Sequence, residues 1–568
     1  MTTAHAADSR TAHVPADPDA GAGSSNRPPV RRARARNAAL AVAVGLLAFV
    51  VSMIGSWIPS FWGDEGASVM SAERPWASLI HELTRVDAVH GTYYALLHVW
   101  IDFFGATELS VRLPSAIAVG FAASGVLVLV RRFGGTRLAL MAAMVFAVLP
   151  RTTYMGMETR SYALGTACAV WLAVLFLALV VARERRVLPW VGFGLAYAAC
   201  IYVFLYLALM ALPFAAALAW MSRAPLRALW LRWGAASLGG ILLTAPLLAF
   251  ALKEHGQLAF LGRNPAMSVY TFLVSQWFDT DIGLAVIGWA CLLALAVGGI
   301  VMWLRRRAVT HPAGPRMLPA GRSLLLALAA SWFVLPPAAL LLLNAFIPAY
   351  TARYTSFVTP AVAILLSVAL EAAAVWIVGT WRERVHTRTS AGATRPGRAR
   401  RASGAWAAVA VALIAAVSVS AYLAQRGPYS KPGASDWAEV AQVIQDHSRP
   451  GDDIVFDETV RPSRDPHIAL HLYPDQFENV VDVTLAVPYV DRDALWDKTY
   501  SIPRVADRIA DGNGRVWLVE YTGTNPHAAP TAGMRKRLAE LHALGFSISR
   551  SYRLHRDDVY LLVRGSTT

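Results

Sequence analysis

Two adjacent carboxylates, Asp64 and Glu65, follow the first long apolar run within Phe61-Trp62-Gly63-Asp64-Glu65, and Asp87 and His90-Gly91-Thr92-Tyr93-Tyr94 come soon after. Two arginines open later apolar runs, in Met157-Glu158-Thr159-Arg160-Ser161-Tyr162 and in Tyr350-Thr351-Ala352-Arg353-Tyr354. A carboxylate can take a proton from a hydroxyl, or offer hard oxygen ligands to a divalent cation. An arginine at the start of a helix adds its guanidinium to the positive end of the helix dipole, and both favour an anion such as phosphate. Taken singly, the acidic pair also reads as a solvated loop pair and each arginine as a snorkelling anchor. Together they make a constellation suited to proton transfer beside an anionic group.

The elements that must position these residues are membrane helices. A chain of 568 residues that is 56% hydrophobic and 16% charged exceeds the apolar content a soluble globule needs. Apolar runs long enough to span a bilayer fall near 38–58, 111–130, 138–150, 161–181, 188–203, 205–221, 234–252, 282–303, 323–343, 355–378 and 404–424. About eleven spans are expected, with 188–220 either a tight hairpin or one long tilted helix. Lys and Arg collect at alternate ends: Arg31, Arg32, Arg34 and Arg36, then Arg131-Arg132, 183–186, 223–232, 305–307 and 382–401. The intervening loops, about 59–110, 150–160, 253–281 and 344–354, are poor in both. This pattern predicts a multi-pass protein of the cell membrane with its N-terminus cytoplasmic and its C-terminal domain extracytoplasmic. Much of the +15 net charge is therefore an orientation signal and lipid-headgroup contact, and no nucleic-acid partner is implied.

The first predicted outer loop is about 50 residues long, unlike most connections. Within it Trp76 to Val86 has amphipathic spacing through Trp76, Leu79, Ile80 and Leu83, so it is expected to lie in the membrane interface. Residues 1–36 are rich in Ala, Pro, Ser, Gly and Arg and are expected to be a disordered cytoplasmic tail. The transmembrane domain is then 37–425. Cys168, Cys200 and Cys291 lie singly in apolar runs and read as packing residues. His255, His311 and the other histidines are read as loop residues without the paired spacing of a zinc site, so no metal ligands are assigned.

From 426 to 568 the composition is that of a soluble domain. A capped amphipathic helix is expected over 435–447 with Val440, Val443 and Ile444 on one face, and Ile454-Val455-Phe456 as a short buried strand. Strands are expected at 480–484, 515–521 and 559–563, with a helix over 531–544 ending near Gly545. Strands alternating with helices predict a small α/β domain, free of GxGxxG, P-loop and HExxH motifs, whose expected role is capping or acceptor docking.

The first loop, through Trp62-Gly63-Asp64-Glu65, His90-Gly91-Thr92-Tyr93-Tyr94-Ala95-Leu96-Leu97-His98 and Gly105-Ala106-Thr107-Glu108-Leu109-Ser110-Val111-Arg112-Leu113-Pro114-Ser115, resembles the family-39 membrane glycosyltransferases. Glu158-Thr159-Arg160-Ser161-Tyr162 is similar to their acidic-x-Arg-x-Tyr motif, and Arg353-Tyr354 with Pro360 to their late Arg-Tyr…Pro motif. The resemblance covers about residues 38–380. It departs at Gly91-Thr92, where family members often carry two prolines after the histidine. The C-terminal domain also resembles the tail of actinobacterial proteins described as mannosyltransferases.

That resemblance implies a polytopic α-helical GT-C glycosyltransferase fold with a small C-terminal extracytoplasmic α/β domain. The donor it implies is a polyprenyl-phosphate sugar, with mannose first and arabinose or another pentose or hexose as alternatives. The acceptor is a hydroxyl of a glycolipid, polysaccharide or protein. Asp64 is the expected catalytic base, and a single base implies inversion. Arg160 and Arg353 are expected to bind the phosphate with His90 and Tyr354 as further donors, and Glu65 and Glu158 to be acceptor or supporting acids. No cofactor is expected; a divalent cation on Asp64, Glu65 and Asp87 is the alternative. A lipid or polysaccharide transporter is the competing class, but carriers place ionisable groups in mid-membrane and often show a repeated half, neither of which is seen here.

Overall fold

The computed structural model describes residues 30–221, 227–253, 269–308, 320–347, 350–386, 396–523 and 530–565. His255, His311 and most of the expected tail lie outside the described residues. The chain opens on α1 (Val30–Met53), so residues 30–36, expected to be tail, already belong to the first helix. The first loop then folds into three short helices, α2 (Gly63–Glu73), α3 (Trp76–Leu83) and α4 (Gly91–Phe104). On α3 the four apolar residues expected to share one face divide, with Leu79 buried and Trp76 and Ile80 exposed.

Next come α5 (Glu108–Val148), α6 (Pro150–Met155), α7 (Tyr162–Val181), α8 (Val187–Val203), α9 (Ala211–Trp220), α10 (Arg227–Leu243), α11 (Ala245–Lys253) and a single turn, α12 (Gln276–Phe278). The helical part closes with α13 (Ile282–Ala308), α14 (Ala320–Asn344), a 3₁₀ turn over Ala352–Val358, α15 (Thr359–His386) and α16 (Pro396–Ala424). Every expected apolar run is helical, but the count of spans differs. Among the described residues seven helices are long and apolar enough to cross a membrane, or up to eight if the bent pair α10–α11 is one span, while Val187–Val203 and Leu205–Trp220 are shorter apolar helices. The runs at 111–130 and 138–150 fall in the two helices that make up Glu108–Val148, which meet at a kink at Gly135, whose φ of +80° glycine takes without strain.

α5 is the hub, with α1, α7, α14, α15 and α16 packed on it. Small residues make that contact possible: a Cβ on Gly120 would sit 2.7 Å from the Gly45 carbonyl of α1. In lipid, where apolar side chains gain nothing by leaving their surroundings, such close backbone approach is the main source of helix–helix attraction.

After α16 come α17 (Trp437–His447), β1 (Asp452–Phe456), α18 (Ile468–Leu472), β2 (Val480–Asp482), β3 (Leu485–Val487), β4 (Lys498–Thr499), α19 (Ala506–Asp511), β5 (Arg515–Tyr521), α20 (Ala532–Ala543), β6 (Phe546–Arg553) and β7 (Asp557–Arg564). Five strands form a mixed sheet in the order β2-β1-β5-β7-β6, with β1 parallel to β2 and β5 and the last two pairs antiparallel. On α17 Val440 and Ile444 are buried, and Gly545 ends α20 at φ +86°. The sheet domain does not stand apart from the first loop. Phe61, Val69, Met70 and Tyr94 share one apolar core with Trp437, Ile454, Ile468 and Trp517.

Candidate active site

Asp64 and Glu65 occupy the first turn of α2, where the positive end of the helix dipole stabilises a carboxylate by about 0.3–1 kcal/mol. Successive residues on a helix point roughly 100° apart, and the two acids accordingly meet different surroundings. Glu65 turns inward and is fully buried. Its carboxylate takes a bidentate pair from Arg112, Nε at 2.9 Å and Nη2 at 2.6 Å, the Thr159 backbone N–H at 3.0 Å and Lys431 Nζ at 3.3 Å. Arg112 in turn donates to the carbonyls of Ser56, Pro59 and Ser60, and Lys431 to that of Met157. Glu65 therefore ties the end of the first helix, the Met157–Thr159 loop and the segment after α16 to α2.

Burial alone would raise the Glu65 pKa, but Arg112 and Lys431 outweigh it and hold it at about 2. The group's stabilising contribution is thus present above the ordinary glutamate range near pH 4.5 and is lost as pH falls toward 2. Glu65→Gln strands a buried guanidinium, so the unfolding free energy is expected to drop by about 3–5 kcal/mol. A lowered melting temperature in detergent is the check; an unchanged one would mean that Arg112 finds another counter-charge.

Asp64 turns the other way, its side chain 26% exposed, and two cations from distant segments close on a single oxygen. Arg353 Nη1 lies 3.1 Å and Arg160 Nη2 3.7 Å from Asp64 Oδ2. Arg160 sits in the turn between α6 and α7, and Arg353 in the 3₁₀ turn that leads into α15. Burial pushes the Asp64 pKa up, yet Arg160, Arg353 and then His90 hold it below the usual aspartate value. Arg160 is steadied by Ser68 Oγ at 3.1 Å and by Tyr94 Oη at 3.2 Å, and Tyr94 donates to Asp87 Oδ2 at 2.7 Å. Arg353 stacks on Trp62, 4.8 Å from its centroid, and lies 3.6 Å from Glu158 Oε1.

Glu158 is fully buried and neither carboxylate oxygen has a hydrogen-bond partner among the described residues; the same holds for Arg160 Nε and Trp62 Nε1. Burial outweighs Arg353 and Lys431 and raises the Glu158 pKa. Unpartnered buried polar atoms cost about 1–3 kcal/mol each, so their convergence beside Asp64 fits a place where a polar ligand completes the bonding. His90 is half-buried, 5.9 Å ring to ring from Tyr94, with its pKa lowered to about 4 by burial and then by Arg160. It is neutral at pH 7 and can donate a hydrogen bond but not a charge. Tyr354 stacks on Tyr206 at 4.9 Å and faces Tyr162 at 6.3 Å, forming an aromatic wall beside Arg353.

The structure thus brings Asp64, Glu158, Arg160 and Arg353 into one cluster flanked by His90 and Tyr354. It does not gather Asp64, Glu65 and Asp87 into a ligand set: Arg112 and Lys431 occupy Glu65, and Tyr94 occupies Asp87. Arg112 and Lys431 were given no role from the sequence, although a lysine between the last apolar run and the start of the soluble domain, in Ser430-Lys431-Pro432, was the available signal. The histidines need correction too. His467 and His471 have the i, i+4 spacing of a metal pair, and with Asp497 they form a group whose ligand atoms all lie within 4.8 Å of one another.

No protein-family model matches the chain, and no curated protein matches it. Among solved structures, ArnT from Cupriavidus metallidurans in the apo state aligns with a TM-score of 0.50 at 15% identity, over 93% of this chain and 98% of that one. The same enzyme bound to undecaprenyl phosphate gives 0.47 at 16% identity, over 92% and 97%. The archaeal oligosaccharyltransferase AglB from Archaeoglobus fulgidus, in complex with an inhibitory peptide and a dolichol-phosphate, gives 0.46 at 13% identity, over 85% and 69%. At 15% identity the apo ArnT likeness speaks for the fold alone. The chain is a polytopic membrane protein of the GT-C fold carrying a small C-terminal α/β domain.

Proposed function

We propose that this protein is a glycosyltransferase that moves a sugar from a polyprenyl-phosphate donor to an acceptor hydroxyl on the extracytoplasmic side of the membrane, with inversion. The observation that carries this reading is the carboxylate of Asp64 held between Arg160 and Arg353, which come from two loops far apart in sequence. The solved structures with the same fold include one bound to undecaprenyl phosphate and one bound to a dolichol-phosphate, which supports a lipid-phosphate donor here. The resemblance of the loop motifs makes mannose the first sugar to test, with arabinose or another pentose or hexose next.

In the proposed reaction the acceptor oxygen forms a bond to the anomeric carbon as the bond from that carbon to the phosphate oxygen breaks. The acceptor proton passes to Asp64, and the electron pair leaves with the polyprenyl phosphate, whose negative charge rises as it departs. Arg160 and Arg353 meet that charge. In the ligand-free state the same arginines are engaged with Asp64, which keeps it ionised but lowers its basicity. A donor phosphate that draws the guanidiniums toward itself would leave Asp64 a stronger base at the moment of attack. Glu158, buried beside Arg353, orients that guanidinium or takes a bond from the acceptor. His90 and Tyr354 would add neutral donors to the phosphate. The apolar grooves between the helices would hold the prenyl chain.

The test uses purified protein in detergent, labelled polyprenyl-phosphate sugars and an envelope fraction as acceptor source. Release of polyprenyl phosphate with label transferred to the acceptor is the expected result. Binding of every donor without release under any condition would favour the transporter reading instead.

A further inference from the structure

A second constellation lies in the C-terminal domain, away from the Asp64 cluster. His467 directly precedes α18 and His471 lies within it, one helical turn later, so both imidazoles leave the same face. Their Nε2 atoms converge on one oxygen of Asp497: His471 is hydrogen-bonded to Oδ2, and His467 Nε2 lies 3.7 Å from it. A second carboxylate, Asp482 at the end of β2, brings its Oδ2 to 2.9 Å from His467 Nε2. Each acid has its other oxygen fixed by the fold. Asp482 Oδ1 accepts from the Thr484 backbone N–H and hydroxyl, and Asp497 Oδ1 from the Tyr489 backbone N–H.

The group opens on a cavity of about 260 Å³ that Glu458 and Asp465 also line. Four carboxylates thus meet two imidazoles. One guanidinium, Arg492, lines the same cavity with its Nη1 donating to the Trp496 carbonyl. The carboxylates outnumber that one guanidinium, and partly buried negative charge in excess favours a further cation.

We propose that His467, His471 and Asp497, whose ligand atoms lie within 4.8 Å of one another, bind one divalent transition-metal ion of the kind that takes two imidazoles and a carboxylate, with Asp482 beside His467 adding negative charge.

The place of the ion gives it a purpose. The chain segment that carries both histidines lies against α2, the helix of Asp64. A Cβ on Gly63 would collide with the Ser463 carbonyl, and one on Gly66 would come within 2.9 Å of Ile468. The loop that carries Asp497 holds the far end of the same helix, because Arg74 donates to the Arg492 carbonyl at 2.9 Å and to the Ala494 carbonyl at 2.5 Å. A metal joining His467 and His471 to Asp497 therefore links the two grips on α2 and fixes the helix that presents Asp64.

The experiment measures metal content of the full-length protein purified in detergent without chelator. About one zinc per chain is expected, removed by EDTA with a fall in melting temperature and restored by zinc chloride. Cobalt loaded in its place should show the visible absorption of a tetrahedral site. His471→Cys should keep the ion and add a thiolate-to-cobalt band in the near ultraviolet, which only a ligand can produce; His467→Ala should lose it. Purified protein without metal, and without a thermal shift on adding zinc or cobalt, overturns the proposal and leaves an ion-pair network. So does a cobalt spectrum that His471→Cys leaves unchanged.

Discussion

Asp64→Asn is expected to lower turnover by about 10²–10⁴-fold while donor binding survives. Asparagine keeps the size and one hydrogen-bonding oxygen of the side chain but cannot accept a proton. The geometry makes Asp64 the candidate base and Glu65 not: Glu65 is saturated by Arg112, Lys431 and Thr159, whereas the Asp64 side chain retains 26% exposure and, among the described residues, is paired with two arginines that a phosphate can claim. Single-turnover release of polyprenyl phosphate, with a separate donor-binding measurement, is the check. Because Arg160 and Arg353 outweigh burial and hold the Asp64 pKa low, the acid limb of kcat/KM should fall below the ordinary carboxylate range in the wild type. Near-normal turnover in Asp64→Asn would remove this residue from the mechanism and make Glu158 the next candidate. A loss restored by added divalent cation would convert the base into a metal ligand.

Sequence and structure agree most where the bilayer dictates the answer. Each apolar run became a helix because a chain in lipid must satisfy its own backbone hydrogen bonds. They part where local residues break that rule. α10 bends against α11 by 51° at Thr244, because Pro246 has no N–H to donate to the preceding turn and its ring crowds the carbonyl four residues back. In the C-terminal domain the edge strand β6 was unread, because its register shifts between Ile548 and Arg550 and the shift disrupts the two-residue alternation.

At the candidate site the residue types were legible and the division of labour was not. Asp64 and Glu65 look equivalent in sequence; what separates them is Arg112, 47 positions beyond Glu65, and Lys431, 366 positions beyond it. Nothing local announces either contact. Glu158 pairs with Arg353 rather than with its near neighbour Arg160, since the turn between α6 and α7 points the two side chains to different partners. The C-terminal domain read as a cap, but its shared core with α2 and α4 makes it part of what holds Asp64 in place.

Arg160→Ala and Arg353→Ala are each expected to reduce turnover by about 10²–10³-fold, the range for removing one donor aimed at charge that develops in a transition state. Lysine should rescue only in part, since it supplies the charge without the planar fork that can grip two phosphate oxygens. The two losses should not be additive, because both arginines act on one leaving group and both touch Asp64 Oδ2. A purely structural arginine could also cost activity, so the decisive reading is pH dependence. Each alanine variant takes away a cation that lowers the Asp64 pKa, and the acid limb of kcat/KM should therefore move to higher pH in both variants. Arg160→Ala should show this shift without freeing Glu158, whereas Arg353→Ala also removes the cation 3.6 Å from Glu158 Oε1. Turnover and pH profile both unchanged, in protein that remains folded, would make these arginines lipid-headgroup anchors and withdraw the phosphate clamp.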